Sequence, residues 1–298
     1  MRSIFTFLLF ITTFSITNAF AMGNVISKVE KKALLDLFES TNGLSWTNTW
    51  DIEKPIHSWK GVTIKENHVV AINLFNNNLN GVLPESLGNL KFLEHLNLAF
   101  NNISGVLPKD IVKLENLKVL KLEMNRIKGG LPQGIGRLDK LEEFSMFNNF
   151  LSGPIPESFG EITALKILNL SSNNLKGMIP ESLGKLTKLE KLGLFENSLE
   201  GSIPGEFGNL THLQELVLAN NQLGGEIPVE FVQLSNLKIL QIQNNRFESY
   251  TGLKNMNTKQ FLVFDTDDAT LNPFKEIDLQ KVRTRMADTK FEDDDNNE

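Results

Sequence analysis

Between Leu165 and Lys188 the chain alternates apolar and polar residues for a few positions, turns, and continues into a short run with helical spacing. Leu168 and Leu170 point into a core from a short strand, while Ile167, Asn169 and Ser171 take its other face. Gly177 and Pro180 turn the chain, and "ESLGKL" supplies a short helical segment behind the strand. The same pattern returns every 24 residues. Asn77, Asn101, Asn125, Asn149, Asn173, Asn197, Asn221 and Asn245 mark one column of it, and Gly81 to Gly225, each followed three residues later by Pro84 to Pro228, mark two more.

A fixed period of this length is the signature of a solenoid. One coil cannot bury its own leucine face, so stacked neighbours must create the core. Each fully buried Leu stabilises by about 1.5 to 3 kcal/mol, which makes the Leu columns chiefly structural. A carboxamide at a recurring inward position needs partners, so the Asn column is expected to bond the backbone of neighbouring coils as a ladder. Seven repeats obey every column, and an eighth begins at Leu237 but has Ser249 and Gly252 where Gly and Pro would fall.

The pattern LxxLxLxxNxLxGxIPxxLGxLxx resembles the plant-type leucine-rich repeat of plant receptor kinase ectodomains, of secreted inhibitors of pectin-degrading enzymes and of exported bacterial proteins. The resemblance covers residues 69 to about 248, roughly 60% of the chain. It implies an α/β repeat fold: a curved leucine-rich-repeat solenoid with a parallel sheet on the concave face and short helical or 3-10 segments on the convex side.

Ahead of the array, residues 22 to 68 hold Trp46, Trp50 and Trp59 and no repeat, which reads as an N-terminal cap over the first apolar edge. The segment also resembles the cap of plant-type arrays, with Trp59, Gly61 and Val62 matching. His57 and Ile64 stand where that family places two cysteines, a departure that favours the bacterial relatives. After the array, "FLVFD" at 261 to 265 is expected as a closing strand with Val263 inward, inside a C-terminal cap at 249 to 275. A charged, partly disordered tail is expected at 276 to 298.

Composition and charge narrow the function. The N-terminus combines one Arg, an apolar run and Ala19 and Ala21 flanking Phe20, which predicts a signal peptide over 1 to 21 and a secreted, periplasmic or cell-surface location. No later run reaches membrane-spanning length, so no span is expected after signal cleavage. A net charge of -6 argues against a nucleic-acid partner. With no cysteine there is no disulfide, and His57, His68, His95 and His212 are scattered over the cap and different columns without metal-ligand spacing. No catalytic residue, metal site or cofactor is expected.

The strand positions facing away from the core carry the candidate site. The seventh column of the repeat places Phe75, Phe147 and Phe195 there together with Glu123, and Phe100 and Met124 sit beside them in the eighth. His95, Lys121 and Lys191 take neighbouring outward positions. The rings either fold over local neighbours or form a stripe for a protein or peptide partner. A glycan is the alternative partner, although the aromatic residues suited to sugar stacking are concentrated in the cap. A structural envelope role and a ligand-capturing co-receptor role also fit the sequence.

Overall fold

The computed structural model describes residues 26 to 257 and 261 to 268. The predicted signal peptide and the tail at 276 to 298 lie outside the described residues, as do parts of both predicted caps. Among the described residues, ten strands form one sheet: β1 (Val62–Lys65), β2 (His68–Asn73), β3 (His95–Asn97), β4 (Val119–Lys121), β5 (Glu143–Ser145), β6 (Ile167–Asn169), β7 (Lys191–Gly193), β8 (Glu215–Val217), β9 (Ile239–Gln241) and β10 (Val263–Asp265). β1 runs antiparallel to β2, and every later neighbour is parallel at a register of one repeat, as in Ile167↔Lys191 and Lys191↔Glu215. This is the expected solenoid, with its parallel sheet on the concave face.

Six coils place a five-residue 3-10 helix on the opposite side, Glu157–Glu161 and Glu181–Lys185 among them. In each of these six the repeat proline sits immediately before the helix, where its fixed φ suits the extended entry and its missing N–H costs nothing. Between the two sides, Leu168, Leu175, Leu183 and their equivalents in other coils form one continuous buried core.

The chain also pairs along its flank, which the sequence pattern does not announce. Short strands such as Asn174–Met178 and Ser198–Gly201 form a six-stranded parallel sheet, and Asn80–Val82 pairs with Asn102–Ser104. The repeat glycine lies within this flank with positive φ, +84° at Gly177, a conformation that a side chain would strain.

The Asn column lies beneath the end of each inner strand. Asn101 Oδ1 accepts the N–H groups of Asn77 and Leu79 at 3.0 and 2.9 Å, and its Nδ2 donates to the carbonyls of Leu74, Leu98 and Ala99 at 2.9 to 3.0 Å. Asn125, Asn149, Asn173, Asn197, Asn221 and Asn245 each accept an N–H from the preceding coil, while Asn77 accepts the N–H of Asn48 in the cap at 2.6 Å.

Over the first coil lies helix α1 (Lys28–Ser40), capped by Ser27, with Ala33, Leu34, Leu37 and Phe38 buried. Glu30, buried on that helix, accepts the N–H of Val69 at 3.1 Å and so ties α1 to β2. Trp46, Trp50 and Trp59 are buried against one another at centroid distances of 4.9 and 4.8 Å. Their indole N–H groups donate to the carbonyls of Thr41, Lys60 and Asp51. In this cap, stacked rings and these bonds hold the segments around Thr41, Asp51 and Lys60 together in a chain that has no cysteine.

At the far end the sequence expectation is corrected. Leu240 pairs with Phe264, so Phe264 enters the core, whereas Val263 pairs with Ile239 on the concave face. Phe261 falls one repeat after Leu237 and is buried like it, so the period persists into a ninth coil and places Val263 outward. A strand's side-chain period of two makes any one-residue reassignment exchange its faces.

Candidate functional site

The concave face is built by the third and fifth columns of each repeat, and the seventh column lies just past the strand end. There the chain bends sharply, because the eighth residue of each coil is left-handed: Asn76, Phe100, Met124, Asn148, Ser172, Glu196, Asn220 and Asn244 all have φ between +46° and +58°. Asn tolerates this region because its short amide bonds locally, and four of the eight are Asn. That preference was the available signal for the bend, and Phe100 and Met124 obscure it.

The bend turns much of the seventh column under the surface. Ala99, Glu123, Ser171 and Ala219 are buried, Glu123 to 2% exposure, so Glu123 is not the exposed site residue the alternation suggests. Burial pushes its carboxyl pKa up, against the opposing backbone hydrogen bond, the nearby Lys121 and the Ser145 hydroxyl. The larger rings of Phe75, Phe147 and Phe195 remain half-buried in the same column. Phe75 lies 5.2 Å from Phe100, centroid to centroid, at a tilt of 55°.

The other predicted residues divide into two groups. His95 is exposed on β3. Lys121 and Lys191 are each engaged by the next coil, Lys121 by Glu143 at 3.1 Å and Lys191 by Glu215 at 2.6 Å. Phe195 packs against Val217, Ile239 and Val263 in an apolar cluster separate from the main core, joined by Ile167. Sequence reading missed this cluster, since Val217, Ile239 and Val263 are unremarkable one at a time and meet only through the 24-residue register.

The solenoid's opposite side has a wide, open depression lined by Glu157, Glu181, Ser182, Lys185, Thr187 and Glu206. Among the described residues there is no group of acidic or imidazole side chains suited to a metal, and no helix long and apolar enough to cross a membrane.

Stacked coils, a side-chain ladder and an open inner parallel sheet define a solenoid of the leucine-rich-repeat class. The chain is a plant-type leucine-rich repeat protein: the leucine-rich repeat region family matches residues 72–201, and the family of paired leucine-rich repeats matches residues 211–255. No curated protein matches it by sequence. Among solved structures it is similar to the ectodomain of the Arabidopsis thaliana receptor kinase GASSHO1/SCHENGEN3 in complex with CASPARIAN STRIP INTEGRITY FACTOR 2, at 32% identity and a TM-score of 0.74 over 79% of this chain and 29% of that one. The Arabidopsis receptor kinase HAESA, in complex with the peptide hormone IDA and the co-receptor SERK1, is 30% identical with a TM-score of 0.64, covering 81% of this chain and 45% of that one. A leucine-rich repeat protein of Leptospira interrogans is 36% identical over 60% of this chain and 46% of its own, with a TM-score of 0.50. The chain thus spans less than half the length of each of these three proteins.

Proposed function

We propose that this protein is an exported, non-catalytic recognition scaffold that holds a protein or peptide segment along its concave face. The observation that carries the reading is the seventh column, where the large rings of Phe75, Phe147 and Phe195 stay only half-buried at positions that the repeat fills elsewhere with Ala, Ser, Gln or a buried Glu. A large ring left partly in water forgoes burial that a partner can complete. At about 4.8 Å per strand, the five coil-to-coil steps from Phe75 to Phe195 span about 24 Å, the length of an extended segment of about seven residues. The similar receptor ectodomains in complex with a peptide hormone or an integrity factor support the same class of partner. Export rests on the hydrophobic N-terminal run and the Ala19 and Ala21 pattern.

The reading is tested by selecting binders from a random peptide library and mapping them with a photo-crosslinking residue placed at Asn97 on the concave face or at Thr187 on the opposite side. Crosslinks from Asn97 and none from Thr187 support it. Crosslinks from Thr187 alone would overturn it.

A further inference from the structure

Among the described residues six side-chain oxygens are buried without a hydrogen-bond partner: those of Asn67, Ser86, Glu123, Glu215, Gln241 and Gln243. The last four lie in the concave-face columns or at their ends, and Glu215 Oε2, Gln241 Oε1 and Gln243 Oε1 lie in two adjacent coils. All three are acceptors. Gln241 cannot meet its need by exchanging amide ends, because its Nε2 already donates to Asp265 Oδ2 at 3.0 Å. Nor does Lys191 satisfy Glu215, since it is bonded to the other carboxylate oxygen at 2.6 Å. A buried acceptor left unpaired is costly, and a donor brought by a ligand recovers that cost.

The surroundings say which kind of donor fits. In the strand register Glu215 and Gln241 flank the apolar cluster of Val217, Ile239, Val263 and Phe195, so a matching group combines an aliphatic stem with a head that only donates. Glu215 on β8 and Gln241 on β9 are diagonal neighbours across the strand pair, about 7 to 8 Å apart at Cβ. That separation suits a planar head with donors on several edges better than a point-like ammonium. The remaining charges, Glu196, Asp265 and Asp267 with the Lys191 and Glu215 pair, leave this end of the face acidic. An incoming carboxylate would be repelled.

We propose that coils seven to nine form an anchor site for an arginine side chain of the bound segment, its stem on Val217, Ile239 and Val263 and its guanidinium bonded to Glu215 and Gln241. This assigns the chemistry of one position in the partner and rests on the concave-face reading given above. Gln241 is half-buried, and rotation about its own torsions turns the amide oxygen toward the ligand.

The test exposes the full-length protein to three pools of random peptides carrying one fixed central residue, arginine, citrulline or glutamate. Citrulline keeps the shape of arginine and removes its charge. The arginine pool is expected to be retained about tenfold better than the citrulline pool, the scale of a charge-assisted hydrogen bond. Glu215→Gln with Gln241→Met should bring the two pools within about twofold, and Gln241→Met alone, which keeps the Lys191–Glu215 pair, should give part of that loss with the thermal midpoint nearly unchanged. Equal retention of both pools, still abolished by Phe147→Ala with Phe195→Ala, would overturn the anchor while leaving the concave-face reading intact. Retention of no pool would remove both.

Discussion

The side-chain oxygen of Asn173 accepts the backbone N–H of Leu151, 22 residues earlier, at 2.9 Å. The same amide donates to the carbonyls of Met146, Leu170 and Ser171 at 2.9 to 3.1 Å. One side chain therefore satisfies four backbone groups in two coils. Asn173→Ala leaves all four without this partner in a buried place, and should destabilise the protein by about 3 kcal/mol or more. Urea denaturation measures it, and a change below about 0.5 kcal/mol would show that the ladder is dispensable.

The cap gives a second prediction. Trp59 is stacked on Trp50 at 4.8 Å and its indole N–H donates to Asp51 and Lys54. Trp59→Ala should cost about 3 to 5 kcal/mol and expose the first coil, raising protease sensitivity at the N-terminal end before the remainder unfolds. Limited proteolysis with mapping of the cut sites checks the order.

Two glycines in neighbouring coils should behave oppositely. A Cβ on Gly160 would fall on the backbone and Cβ of Ser182 in the next coil, whereas one on Gly134, at φ -93°, meets nothing within 4 Å. Gly160→Ala should destabilise by about 1 to 3 kcal/mol through this overlap. Gly134→Ala should stabilise by about 0.5 kcal/mol by restricting the unfolded chain. Paired thermal melts decide between this contrast and a uniform glycine effect.

Glu123 supplies a pH prediction. Burial raises its carboxyl above the ordinary value, so the folded state favours the protonated form. That contribution to stability is full below the ordinary Glu value of about 4.3 and is lost as pH rises through the raised value. Glu123→Gln should therefore match the wild type in acid and become the more stable protein toward neutrality. Urea midpoints of the two proteins at acid and neutral pH test this, and a difference independent of pH would contradict it.

The repeat columns were legible in sequence because each answers a single need that recurs every coil: Leu168 for the core, Asn173 for the ladder, Pro180 for the turn. Features that depend on several coils at once were not. The flank strand Asn174–Met178 contains Gly177 at positive φ and pairs through its backbone, so it leaves little side-chain alternation to read. Glu123 sits where alternation predicts exposure, yet the left-handed residue after it, Met124, turns the column under. Val263 misleads for a related reason: its place follows from the register with Ile239, which the local run "FLVFD" does not contain.

The central claim is that the half-exposed rings of the seventh column serve a partner and are not needed for folding. Its most direct test is the affinity of Phe147→Ala with Phe195→Ala for a peptide selected on the wild-type protein, read beside the thermal midpoint. The account predicts an affinity loss of about tenfold or more with the midpoint nearly unchanged. Unchanged affinity, or an affinity loss that merely follows a collapse of the midpoint, would contradict it.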